Sequence, residues 1–306
     1  MTSAALDVGL CLLLVSASAV TLVTVPEATQ PTGETEADAV ATLLTTTTAT
    51  VNYSLSPGAR RADEAVVAFP TAEGPEFDRT ARGTPATLLA EAAVGGVAVG
   101  GDRLTHTRDG LRAAVSQRVA AEVERGSRTG KAGRTETAVQ VVTRWQPHRG
   151  SQFRGCVTVG SSPPPDAAVH ATRVTVPSGL PSARSDAVDA AEGAEEDERF
   201  TAVATVVAER VVAGLFPADD LQLALRGDYP VSRFAEYRYR RMGRLFGVDV
   251  VGRDGEIHPE AANERLTDAV ARAVEYDLRQ AYDTPEAAAA DVRVDEVTVV
   301  VRTWSA

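Results

Sequence analysis

The chain has 306 residues, with 42 acidic side chains against 31 basic ones and a net charge of −11. That length suffices for one or two ordinary hydrophobic cores, and its two cysteines, Cys11 and Cys156, exclude a disulfide scaffold. Lys131 is the only lysine. An acid excess carried alongside arginine, with abundant Ala, Val, Thr and Asp, is the composition expected of a salt-in halophile. In molar salt the Debye length is about 3 Å, so hydrated surface carboxylates keep a protein soluble without repelling one another.

The first element is an apolar run from Val8 to Val25, set between Asp7 and Pro26. As a helix it would be about 27 Å long, close to the roughly 30 Å hydrocarbon core of a bilayer. Three readings fit the run. A retained transmembrane anchor over residues 1–26 is the expected one. Residues 1–7 contain no Lys or Arg, unlike a signal peptide, although Ala17-Ser18-Ala19 offers a small-x-small site before Val20. A buried core helix is the third reading. Leu10 stands before Cys11 where a lipobox needs a small residue. No basic residue occurs before Arg60, so orientation is weakly encoded; the bulk is expected outside.

Residues 27–38, rich in Thr, Glu and Pro, read as a tether. An α+β domain is expected over 39–180. Residues 39–55 suggest a strand or a helix-to-strand passage, and Asn52-Tyr53-Ser54 is a glycosylation sequon. Residues 85–99 and 111–123 read as helices, the second with Val115, Val119 and Val123 at four-residue spacing. Alternation then predicts strands over 139–145, 156–159 and 169–176, separated by Gly150, Gly155 and Pro163-Pro164-Pro165. Residues 181–198 lack large apolar side chains except Val188 and read as a flexible linker or surface loop. A mainly helical region, 199–306, follows, with helices over 200–215, 232–246 and 259–282, a short turn near Pro285 and a closing β-branched strand over 297–304.

Familiar motifs fail on spacing. Gly126 to Ala132 has three residues between its glycines where a P-loop has four, and Ala132 where Ser or Thr would bind magnesium. Gly95-Gly96 and Gly100-Gly101 lack the dinucleotide-binding spacing. His106, His148, His170 and His258 are scattered without a metal-ligand pattern, and Ser161-Ser162 precedes prolines rather than occupying a nucleophile elbow. No catalytic, cofactor-binding or metal residue is assigned, and no cofactor is expected.

Arg233 to Arg244 is the one basic, aromatic cluster. As an amphipathic helix it would pack Phe234, Tyr237, Met242, Leu245 and Phe246, with its arginines paired to acids such as Glu264 and Asp268. Its alternative use is a docking face formed by Arg233, Tyr237, Arg238, Arg240, Arg241 and Arg244 for an acidic protein partner or a lipid headgroup; nucleic acid is not expected.

Leu6–Ala19, Val51–Leu55, Val207–Val212 and Val301–Ser305 resemble a haloarchaeal family of uncharacterised membrane proteins. That resemblance implies association with archaeal type IV pilus or type II secretion-like systems. Asp7 would then act as the pilin-like acid that pairs with a neighbour's α-amino group during assembly. The expectation is therefore an α+β protein: a transmembrane helix followed by a mixed body of helices and antiparallel sheet. It would be a single-span, non-enzymatic surface subunit or accessory, held in the membrane by Val8–Val25 and meeting protein partners of an envelope assembly. The rivals are an anchored enzyme with a dispersed site and a cytoplasmic-facing scaffold that recruits an acidic partner through Arg233–Arg244.

Overall fold

The computed structural model describes residues 36–128, with backbone alone for 125–128, and residues 137–305. Asp7, the run Val8–Val25, most of the tether and all but the start of the Gly126–Ala132 stretch lie outside the described residues. Helix α1 (Glu36–Thr46) leads into strand β1 (Ala49–Ser54), the helix-to-strand alternative expected there. The tether does not reach Asp38, because residues 36–38 form the first turn of α1 and Ala37 is fully buried. A short helix α2 (Ser56–Arg60) and a 3-10 turn (Pro75–Phe77) precede strand β2 (Asp78–Gly83), which pairs antiparallel with β1.

Helix α3 (Pro85–Gly95) starts on a Thr84 cap whose hydroxyl accepts from the Thr87 amide, with proline in the first turn. It ends at Gly95 rather than reaching Val99. Residues 98 and 99 instead form strand β3 (Ala98–Val99), which turns back into β4 (Asp102–Arg103) through Gly100 and Gly101, both at positive φ. Helix α4 (Asp109–Arg128) completes this half.

Strands β5 (Thr137–Trp145), β6 (Phe153–Val159) and β7 (His170–Pro177) arise where the alternation predicts them, although β6 runs straight through Gly155. Helices α5 (Arg184–Gly193), α6 (Arg199–Leu215), α7 (Ala218–Arg226), α8 (Val231–Phe246), α9 (Pro259–Ala281) and α10 (Pro285–Ala290) follow, and strand β8 (Glu296–Ser305) closes the chain. The larger sheet is antiparallel throughout, with strand order β4-β3-β6-β5-β8-β7. The closing strand is thus internal: it pairs with β5 from Thr137↔Ser305 to Trp145↔Val297, and with β7 from His170↔Thr303 to Pro177↔Glu296. This is an α+β body.

Period-two alternation decides which face is covered. On β6, Phe153, Gly155, Val157 and Val159 are buried while Arg154, Cys156 and Thr158 are exposed; on β8, Val297, Val299 and Val301 point inward. Helices α1, α3 and α4 pack on the sheet, and α6 packs between α5 and α9. Trp145 is buried, and its indole N–H donates to the Val294 carbonyl at 2.9 Å, tying β5 to the approach of β8.

The segment 181–198 is not a linker. It contains α5, which buries Ala187 and Ala191 and continues the four-residue spacing of the buried Ala183 just before it, and α5 packs against α6. Small side chains let two helices approach closely while leaving little hydropathy in the sequence. From Glu36 onward the chain forms one compact unit, with buried apolar residues from Ala37 to Val301 in one cluster. Arg199–Arg226, which contains an 18-residue window of mean hydropathy 1.5, is the one stretch among the described residues long and apolar enough to cross a membrane by length and composition. In the fold it is broken at Phe216-Pro217, and α6 buries Val203, Val207, Val211 and Leu215 inside the body.

The turn between β5 and β6 carries a titratable group in the core. His148 is buried; its Nδ1 faces the Arg149 carbonyl at 3.0 Å, and its Nε2 has no partner. Burial pushes its pKa below the usual 6.5, opposed by the Arg149 carbonyl and the charges of Asp277 and Asp291. Above that value the imidazole is neutral in both folded and unfolded chains and pH has no effect through it. As pH falls below it, the unfolded chain takes up a proton that the folded one resists, and stability is lost by at most about 1.4 kcal/mol per pH unit. Urea midpoints from about pH 7 to about pH 5 should therefore fall more steeply in the native chain than in His148→Gln. Equal slopes would show that His148 titrates alike in both states.

Candidate functional site

Helix α8 forms because its apolar residues recur on one face, and it ends at Gly247, whose φ of 66° suits a left-handed C-cap. Phe234, Tyr237, Tyr239 and Met242 are buried, while Leu245 and Phe246 pack partly against the core. The Tyr237 ring lies 6.3 Å from that of Phe69, and its hydroxyl accepts from the Asp63 amide at 3.3 Å.

Most arginines of this helix are engaged within the chain. Arg233 and Arg240 both pair with Glu236, at 2.9 and 2.8 Å. Arg241 reaches Asp102 at 3.8 Å and the Arg103 carbonyl at 3.4 Å. Arg244 pairs with Asp63 at 3.2 Å and donates to the Ala65 carbonyl. The acids used are therefore a neighbour on the same helix and two residues of the N-terminal half, in place of the expected Glu264 and Asp268. Arg233 to Arg244 does not present a row of free cations.

Arg238 is the exception. It turns into a cavity of about 490 Å³ between α8 and the elements around it: Tyr53 and Leu55 of β1 and the residue after it, Glu91 and Val94 of α3, Arg108 before α4, Leu215 of α6 and Leu221 of α7. Arg238 is half-buried as a residue, but its Nε is out of contact with solvent and has no hydrogen-bond partner. Its guanidinium carbon lies 5.2 Å from the centroid of the Phe216 ring, a cation–π geometry. Burial pushes its pKa down to about 10, helped by the charge of Arg108, so it stays protonated at neutral pH. Arg108, by contrast, is satisfied: it pairs with Glu91 at 3.0 Å and donates to the Tyr53 hydroxyl at 2.6 Å. Gly95 makes room for it, since a Cβ there would lie 2.5 Å from Arg108 Cγ.

The other residues singled out from the sequence do not converge on this cavity. Asn52 is exposed on β1 and its side-chain oxygen accepts from the Thr80 hydroxyl at 2.8 Å. Asp7 lies outside the described residues. His106 contacts Asp109 at 2.9 Å, His148 is in the core and His170 starts β7 in an exposed position. Among the described residues one group of potential metal ligands is close together, Asp254, Glu256 and His258, within 4.8 Å of one another. All three are exposed, and Asp254 is already occupied by His258 Nε2 at 2.7 Å and the Glu256 amide at 3.1 Å, which makes this a closed surface turn. The cavity could not be read from the sequence, because its walls come from residues between 53 and 238; the isolated basic cluster was the one signal pointing to it.

No curated protein and no solved structure matches the chain significantly. The sequence profile of a family of unknown function, DUF7284, matches residues 6–304, and the chain belongs to that family.

Proposed function

We propose, with that membership as the premise, that the protein is a non-enzymatic, membrane-anchored surface protein of a halophilic archaeon, serving as a subunit or accessory of a pilus- or secretion-like envelope assembly. The observation that carries this reading is the apolar run Val8–Val25 placed directly before a compact body. The family match begins at residue 6 and so takes in the run, and the core of the body is built from Ala37 onward. Val8–Val25 supplies the bilayer anchor, and Asp7 at its head supplies a carboxylate that pairs with a neighbouring subunit's α-amino group as the assembly forms. The sequon at Asn52, exposed on β1, becomes a glycan site on an external body.

Fractionation of host cells, with protease added to intact cells and the N-terminal residue read by mass spectrometry, tests this. The expected result is a membrane-retained chain with its N-terminus intact and a body cleaved from outside. Release with Val20 at the N-terminus would make it a secreted protein, and a protease-protected body would place it inside; either result defeats the anchored surface reading.

A further inference from the structure

We propose that the cavity between α8 and the β1–α3 region is a binding site for an aliphatic monocarboxylate, held at its head by the Arg238 guanidinium and along its chain by the apolar walls. Three observations converge on it. Arg238 lines the cavity with an Nε that is out of contact with solvent and has no hydrogen-bond acceptor, and its guanidinium lies against the Phe216 ring face. The chain has 42 acids for 31 bases, and every other arginine of α8 has found an acceptor, so a shortage of carboxylates does not explain the gap. A guanidinium N–H sealed from water is costly unless an acceptor meets it, and at this Nε a ligand in the cavity would supply that acceptor.

The second observation is charge. Arg108 lines the same cavity but is neutralised by Glu91, and Arg79, also on the lining, donates to the Glu76 and Asp78 carbonyls, which leaves Arg238 as the lining arginine without a protein acceptor among the described residues. One free guanidinium fork matches one carboxylate bidentately, and a single negative charge balances it. The third is shape and polarity. The remaining wall includes Leu55, Val94, Leu215, Leu221 and Phe234, and the space of about 490 Å³ lies in the range of small-molecule sites and far exceeds a halide ion. Val231, exposed and on the same lining, extends the apolar surface to the outside. A carboxylate alone would leave these walls wet, and a neutral alkane would leave Arg238 unpaired. This inference does not depend on the membrane anchor, since the site lies wholly within the body.

The test uses the full-length chain in molar potassium chloride, with equilibrium dialysis of labelled octanoate and thermal melts in octanoate, octanol and inorganic phosphate. Octanoate should bind and raise the melting temperature, while octanol and phosphate should do so weakly or not at all. Arg238→Met, which keeps the unbranched apolar stem and removes the guanidinium, should weaken octanoate about tenfold or more while melting no lower than the native chain in the absence of ligand. Arg238→Lys, which keeps the charge and loses the fork, should bind with intermediate affinity. Three results would each overturn the proposal: octanol matching octanoate, chloride alone suppressing all binding, or Arg238→Met melting well below the native chain without ligand. The last would mean that Arg238 holds the fold together.

Discussion

A chain lacking residues 296–305 is expected to show no cooperative unfolding transition and to collapse or aggregate, although it loses only its final ordered strand. Strand β8 separates β5 from β7 and pairs with both. Without it β7 has no strand partner, and β5 exposes an unpaired edge, a template for intermolecular association. Val297, Val299 and Val301 are buried, and each contributes about 1.5–3 kcal/mol, against a total of about 5–15 kcal/mol for an ordinary domain. The loss extends to the Val294 region, whose carbonyl receives the Trp145 indole. Circular dichroism during urea titration and sedimentation velocity would show the effect; a truncated chain that unfolds in one sharp step at a near-native midpoint would refute the internal placement of β8. A milder companion, Val299→Asp, puts an unpaired carboxylate at a fully surrounded position and should lead in the same direction.

That placement shows where sequence reading stops. The run Val297–Val301 is legible as a strand because β-branched residues crowd there, and the helical periods of 199–215, 231–246 and 259–281 are legible from their apolar faces. Neighbour relations are a different matter. Val301 meets Val141 from a position 160 residues away, and no local pattern records that contact. The same limit applies to Arg244 and Asp63, and to the partners of Arg241: a helix can be inferred from its own residues, but the acids that meet it belong to other parts of the chain. Helix α5 fails for another reason, since alanines at four-residue spacing satisfy packing with too little hydropathy to stand out from a loop. The cavity combines both limits. Arg238 looks in the sequence like one of several equivalent arginines, and only the fold separates it from the four that find acids.

Gly155→Ala should lower stability by about 3 kcal/mol or more, a large effect for one methyl group, and Gly155→Val should do worse. In the sequence this glycine suggests the end of a strand; in the fold it lies mid-strand on β6, opposite Trp145, with no positive φ to require it. The requirement is space. A Cβ at residue 155 would lie 2.8 Å from the Ala93 carbonyl carbon and closer still to its oxygen, so helix α3 rests with its backbone directly on the strand. The obstructing atoms are main chain in the last turn of a helix and cannot rotate aside. To admit a methyl group, α3 must lift as a unit, which opens the contacts of Leu89 and Ala93 with the core. Gly193 provides the control, because a Cβ there meets nothing within 4 Å and the residue ends helix α5. Gly193→Ala should be neutral or stabilising by up to about 1 kcal/mol. Urea midpoints of the two alanine variants, measured at the same salt concentration, should therefore move in different directions or by very different amounts. Similar small shifts in both would mean that α3 does not sit on β6 at this distance, and that Gly155 is in the strand for some reason other than the helix above it.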